Sequence, residues 1–374
     1  MLSPQQYYML WFAGVVTVCF FIAFIAQRIP MNRPNKLQKD PLPNPLGLLL
    51  PAVIFCVFSG LRKTIGDTEQ YIDIYQRIDP ETAEPVRFSF SANNMFHYLE
   101  YRLRLVTDDP MPLLMICAVL ALVPAIYILY QYASPFEMGI GLFVLTGYYS
   151  LSMNGMRQYL AAGFVLMGTK YLFSEKKADF FKFLIFVLIA WTFHSSALIM
   201  IPIYFIVRRP AWRPMMFLLV GATIVGTLLF DRFLPTFLSA IEDSDYGVYA
   251  HNGWFTAGVE GGSNFIRIVV LLVPLVLAYL WRERMSAVMG REWDILVNLS
   301  VFDLMFYILS LYNWLFARLA IYTSLYVVVM LTHLISKGTS REDSRYMNAG
   351  VLALYAIYFY NMKASIIGYR SNYF

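Results

Sequence analysis

The sequence has little charge. Of its 374 residues only 14% are Asp, Glu, Lys or Arg, against roughly a quarter in soluble domains. That leaves too few polar side chains to cover a soluble fold of this length. Cysteine is also scarce. Cys19, Cys56 and Cys117 all lie in apolar runs, with no CxxC and no paired histidine, which argues against a disulfide framework or a zinc site. HExxH spacing is absent, so no metal and no cofactor is expected. No basic residue precedes the first apolar run, YYMLWFAGVVTVCFFIAFIA; Arg28, Arg33, Lys36 and Lys39 follow it. It therefore reads as a retained span with its N-terminus outside, not as a cleaved signal. Repeats, Gly/Ser linkers and low-complexity tracts are lacking as well, so one multispanning domain over residues 1–374 is expected.

What the chain does have is apolar sequence, 59% of the total. About twelve runs (eleven to fourteen, depending on how broken stretches are counted) are near the length of a membrane crossing. Their cores are 8–26, 46–61, 111–131, 136–152, 157–173, 180–193, 196–207, 214–231, 265–281, 295–312, 317–335 and 347–362. Only helices satisfy the backbone within lipid, so the expected class is an all-α polytopic membrane protein. The pair 180–193 and 196–207 reads either as a tight hairpin or as one tilted helix. The segments RIPMNRPNKLQK, SEKKADFFK, RRPAWR, RERMSAVMGR and SKGTSREDSR alternate with the spans as cytoplasmic loops should. That use of the basic residues leaves no reason to invoke a nucleic-acid partner. Long loops near 62–110 and 232–263 fall outside.

Four arginines stand where this topology has no need of them: Arg62, Arg157, Arg267 and Arg318. All lie at or just beyond the outer end of a span, and the last three in the first turn of an inward-running helix. The helix dipole disfavours a cation there, whereas an anion bound at the helix start relieves both penalties. A planar guanidinium suits phosphate. The competing reading is that each arginine snorkels to headgroups or pairs with a loop carboxylate.

His194, in WTFHSSALIM, has the same expected depth. It could donate to phosphate, act as a base, or serve structurally, with Ser195 and Ser196 capping the next helix. In TIGDTEQY, Gly66 permits a turn, and Asp67 either caps a helix, orients Arg62 or takes a proton from a hydroxyl. The residues that follow, DTEQYIDIYQRI, have the spacing of an amphipathic surface helix. The loop 241–264 offers carboxylates, amides and aromatics, Trp254 among them, that could stack on and hydrogen-bond sugars. Asp303 is an acid near mid-span, read as a hydrogen bond to a neighbouring helix.

GLRKTIGDTEQY, NGMRQYLAAGF, FHSSALIMIPIY and RLAIYTSLY, in that order, resemble the EpsG/Wzy-like exopolysaccharide polymerases. Arg62, Gly66 and Asp67 match that family's early arginine–glycine–aspartate segment. Arg157 and Gln158 match its Arg-Gln pair; Phe193, His194 and Ser195 its Phe-His-Ser; Arg318 and Tyr322 its late arginine and tyrosine. Arg267 matches less clearly. The resemblance implies a GT-C-like, metal-independent enzyme at the outer leaflet of the bacterial cytoplasmic membrane. Its substrate would be undecaprenyl-diphosphate-linked oligosaccharide, and a flippase and a chain-length regulator would be its partners. On this reading Arg157, Arg318, His194 and Asp67 are catalytic. Arg62, Gln158, Arg267, Tyr322 and Trp254 bind substrate. A lipid-linked glycan ligase, a transporter or flippase, and a membrane acyltransferase with His194 as base are the alternatives.

Overall fold

Helices dominate because an apolar chain away from water must pair its peptide groups within each segment. The computed structural model describes residues 4–37, 40–241, 265–361 and 368–373, and the fold is 75% helical, nearly all-α. In chain order the helices are α1 (Pro4–Arg28), α2 (Leu46–Gly60), α3 (Thr68–Arg77), α4 (Asn94–Arg104), α5 (Met111–Tyr132), α6 (Phe136–Leu145), α7 (Tyr148–Leu151), α8 (Met156–Met167), α9 (Thr169–Phe173), α10 (Asp179–Phe193), α11 (Met200–Val207), α12 (Pro214–Leu228), α13 (Phe230–Ile241), α14 (Phe265–Leu280), α15 (Arg282–Met289), α16 (Arg291–Leu309), α17 (Ser324–Gly338) and α18 (Arg341–Asn361). The described residues also form two 3₁₀ segments, Ser195–Ile199 and Trp314–Tyr322, and the short strands β1 (Arg62–Thr64) and β2 (Arg370–Ser371).

Among the described residues, α1 and α5 are long and apolar enough to cross a bilayer, and up to five spans result if three bent helix pairs each count as one. These helices mark a membrane protein. The stretch 136–173, which reads in sequence as two spans, is divided into four shorter helices. Breaks fall at Gly147, Gly155 and Gly168. At 1.5 Å per residue none of the four reaches about 30 Å. Likewise, 180–207 is neither a simple hairpin nor one helix. α10 ends at Phe193, His194 is extended (φ −152°, ψ 124°), and the 3₁₀ segment leads into α11.

The chain forms two compact units, Met1–Ile201 with Val328–Phe374, and Pro202–Val327. In the first, α5 is packed by α2 and α8, α8 also by α10, and α1 by α2 and α6. The α5–α8 contact is close enough that a Cβ on Gly163 would fall on the carbonyl oxygen of Leu120. Small residues permit such helix approaches in membranes. Phe55, Phe143 and Tyr149 are fully buried, and the Tyr149 hydroxyl donates to Phe55 O at 3.0 Å. One end of this unit is tied by Lys337 to Asp40 (3.0 Å), Ser134 to Asp40 (2.8 Å) and Arg28 to Glu137 (3.1 Å).

The second unit is built on α16, which is buried nearly throughout and packs against α12, α14 and the 3₁₀ segment Trp314–Tyr322. Three of its polar residues bond to neighbouring elements. Asn298 Nδ2 donates to the Val207 and Arg209 carbonyls that end α11 (3.1 and 2.8 Å). Asp294 Oδ1 accepts from Ala211 N (3.0 Å). Asp303 Oδ1 accepts from the hydroxyls of Thr323 and Ser324, both at 2.8 Å. Asp303 thus hydrogen-bonds to its neighbouring elements, as its position suggests.

Candidate functional site

The segment after α2 turns sharply. Gly66 has φ +55°, a Cβ there would lie 2.6 Å from the Asn154 side chain, and Ile65 before it has φ 137°. A β-branched residue at positive φ is a rare, strained conformation, and such strain concentrates at functional segments. Arg62 holds this turn from within. Only 3% exposed, it donates from Nε to Thr68 Oγ1 (2.9 Å), from Nη1 to Ser59 O (2.6 Å) and from Nη2 to Met156 Sδ (3.2 Å). Burial pulls its pKa down, and nearby Cys117 and Asp67 oppose that shift. Asp67 stands at the N-cap of α3 without capping it through its side chain. Instead Asp67 Oδ2 accepts from Gly155 N (3.0 Å), and Asp67 N donates to Asn154 Oδ1 (3.2 Å). Arg62 and Asp67 therefore clamp the turn onto the start of α8.

That helix start carries Arg157 and Gln158. The Arg157 guanidinium lies 5.3 Å from the Phe96 ring centre, a cation–π contact, and its Nε is buried with no hydrogen-bond partner among the described residues. Gln158 is buried, and its Nε2 donates to Ser196 Oγ (2.9 Å). Ser196 Oγ lies 2.7 Å from His194 Nδ1, and Ser196 N donates to the same nitrogen at 3.3 Å. The histidine ring thus caps the 3₁₀ segment, a task the sequence assigns to the serines. Residues 153–158 accordingly bridge two neighbourhoods. Met156 touches Arg62, Gly155 holds Asp67, and Gln158 reaches the His194 pair, with Arg157 between them.

The loop before α4 and α4 itself complete this neighbourhood. Asn93, left-handed at φ 60°, accepts from Ser195 N through Oδ1 (3.1 Å). Phe96 lies under Arg157, with Tyr71 of α3 against its other contacts (5.6 Å between ring centres). One turn on, Glu100 is 1% exposed, with Oε2 3.2 Å from His97 Nδ1 and Oε1 buried without a partner among the described residues. These residues are missing from the sequence reading. The Asn-Asn pair before a helix is the one local hint, since Asn tolerates the left-handed conformation.

The remaining candidates belong to the second unit. Arg267, in the first turn of α14, lies 4.6 Å from the Tyr307 ring centre. Arg318 lies inside the 3₁₀ segment, 4.9 Å from the ring centre of Trp314, rather than in the first turn of an α-helix. Tyr322 ends that segment and is buried. Trp254 lies outside the described residues, as does most of its loop. Among the described residues no group of three His, Cys, Asp or Glu side chains could hold a metal ion.

Chemically, the first unit offers a fixed guanidinium at a helix N-terminus, beside an imidazole held in one orientation and a strained turn. This arrangement suits an anion with several oxygens. The sequence model of the EpsG family matches residues 47–373, which takes in every one of these residues. No curated protein and no solved structure gives a significant match.

Proposed function

Because the chain belongs to the EpsG family, we propose that it is a polysaccharide polymerase joining lipid-diphosphate-linked oligosaccharide units at the outer leaflet of the bacterial cytoplasmic membrane. The lipid is undecaprenyl, the N-terminus is outside, and the expected set of about twelve crossings takes a GT-C-like arrangement. The observation that carries this reading is Arg157: a guanidinium in the first turn of α8, with a buried and unpartnered Nε. A phosphate oxygen would satisfy both that N–H and the helix start.

In the reaction, a sugar hydroxyl on one lipid-linked unit attacks the anomeric carbon of a glycan carried by another. A new C–O bond forms while the anomeric C–O bond to diphosphate breaks, and its electron pair stays on the phosphate oxygen. Arg157 stabilises the charge that develops there, without a metal ion, in a setting where preorganised donors contribute most. Asp67 and Arg62 hold the turn and the helix start. The roles of Arg318 and Tyr322 in the second unit rest on the resemblance, that of Arg267 mainly on its expected place at the outer end of a span, and that of Trp254 on the composition of its loop.

Membranes holding the protein and one lipid-linked unit as both donor and acceptor should yield a ladder of products. Cells without the protein should accumulate single lipid-linked units and lack polymer. A product capped on a different acceptor, with no ladder, would indicate a ligase. Unaltered polymer in the deleted cells would overturn the proposal.

A further inference from the structure

Resting on that reading, we propose that His194 serves as a hydrogen-bond donor through Nε2–H to the departing diphosphate, not as the base, and that Ser196 and Gln158 are positioning residues that hold this tautomer. A backbone N–H can only donate. Ser196 N points at His194 Nδ1 from 3.3 Å, so Nδ1 presents its lone pair. Gln158 Nε2 donates to Ser196 Oγ at 2.9 Å and takes one of its lone pairs; with Nδ1 already an acceptor, the hydroxyl hydrogen is the one that fits the 2.7 Å contact from Oγ to that nitrogen. Two donors therefore converge on one ring nitrogen, and the single proton of the neutral imidazole resides on Nε2. The tautomer follows from this network and is not itself an observed proton.

A catalytic base needs the opposite polarity, as in Ser-His-Asp sites, where Nδ1–H is given to a carboxylate and Nε2 keeps its lone pair. Local backbone structure enforces the polarity seen here. The extended conformation of His194 (φ −152°, ψ 124°) folds its ring back over Ser196. Asn93 Oδ1 secures Ser195 N at 3.1 Å. Gln158 neighbours Arg157 in the first turn of α8, so one helix start supplies both the guanidinium and the relay that sets the histidine. In the reaction, Nε2–H hydrogen-bonds to a phosphate oxygen as the anomeric C–O bond breaks and keeps its proton. The acceptor hydroxyl's proton passes to the diphosphate it displaces, so the histidine ends the cycle unchanged.

The test has two readouts. ¹⁵N-histidine spectra of the full-length protein in lipid nanodiscs, with the His194 signal assigned by its loss in His194→Gln, should show a lone pair on Nδ1 and the proton on Nε2. Ser196→Ala removes one of the two donors and keeps the backbone N–H, so it should raise the Nδ1–H fraction only in part, and Ser196→Thr should restore the native spectrum. A native signal with the proton on Nδ1 would overturn the proposal. In the ladder assay, glutamine places an N–H near the position of Nε2 but cannot act as a base. His194→Gln should stay within about tenfold of the native rate, while His194→Ala should fall about a hundredfold. Equal loss in both variants would show that proton transfer, not donation, is required. The spectrum is read on resting protein, so the tautomer stands or falls on it without substrate. Native protein that makes no ladder overturns the polymerase reading and, with it, the phosphate acceptor.

Discussion

At the scale of residues, two arginines close to each other have different tasks. Arg62 is enclosed and donates to Ser59, Thr68 and Met156; Arg157 is half-buried over an aromatic ring with its Nε unpartnered. Arg62→Lys should therefore act on the fold. It leaves a buried charge with fewer partners, a change worth about 3 kcal/mol, visible as a lower unfolding temperature in detergent. Arg157→Lys should leave that temperature alone and reduce polymer formation by about 10²-fold or more, since charge stays and the fork is lost. Asp67 gives a third test. Its carboxylate serves Gly155 N, so Asp67→Asn, which keeps an acceptor oxygen, should preserve most activity. Asp67→Ala should destabilise by about 1–3 kcal/mol by orphaning that N–H. Equal loss in the two variants would instead make Asp67 a base.

At the scale of elements, the C-terminal tail is the unexpected part. β2 pairs antiparallel with β1, Arg62 opposite Ser371 and Thr64 opposite Arg370. Tyr369 is buried, stacks on Phe58 at 4.4 Å and donates to Phe58 O at 2.7 Å. Ser371 Oγ bonds Leu61 O (2.8 Å), and Tyr8 bonds Ser371 O (3.1 Å). The strand bearing Arg62 is thus covered by residues some three hundred positions away. Tyr369→Ala should cost about 3–5 kcal/mol, as for other buried aromatics, and Tyr369→Phe about 1 kcal/mol for one hydrogen bond. Both are measurable as shifts in thermal unfolding, and equal values would dismiss the packing role. Nothing local in the sequence announces this pairing. Helix α3 was legible from its spacing, and so were the turn at Gly66 and the helix start at Arg157, because periodicity and φ preference are local. The ring cap by His194, the left-handed Asn93 under Ser195 and the subdivision of 136–173 were not. Each depends on contacts between segments that composition does not order.

At the scale of the molecule, the family match over residues 47–373 includes that tail, whereas the last motif legible in sequence, RLAIYTSLY, ends at residue 326. Membrane character was readable because scarce charge and recurring apolar runs follow from the bilayer alone. The number of crossings was less so, since a helix buried by protein and one exposed to lipid have similar composition. The account's central claim is that Arg157 receives the diphosphate of a lipid-linked glycan. Its most direct test compares native protein and Arg157→Lys, both purified into nanodiscs with matched unfolding temperatures, on a single lipid-linked repeat unit. The account predicts a ladder from the native protein and almost none from the variant; ladders of equal length and amount from both would contradict it.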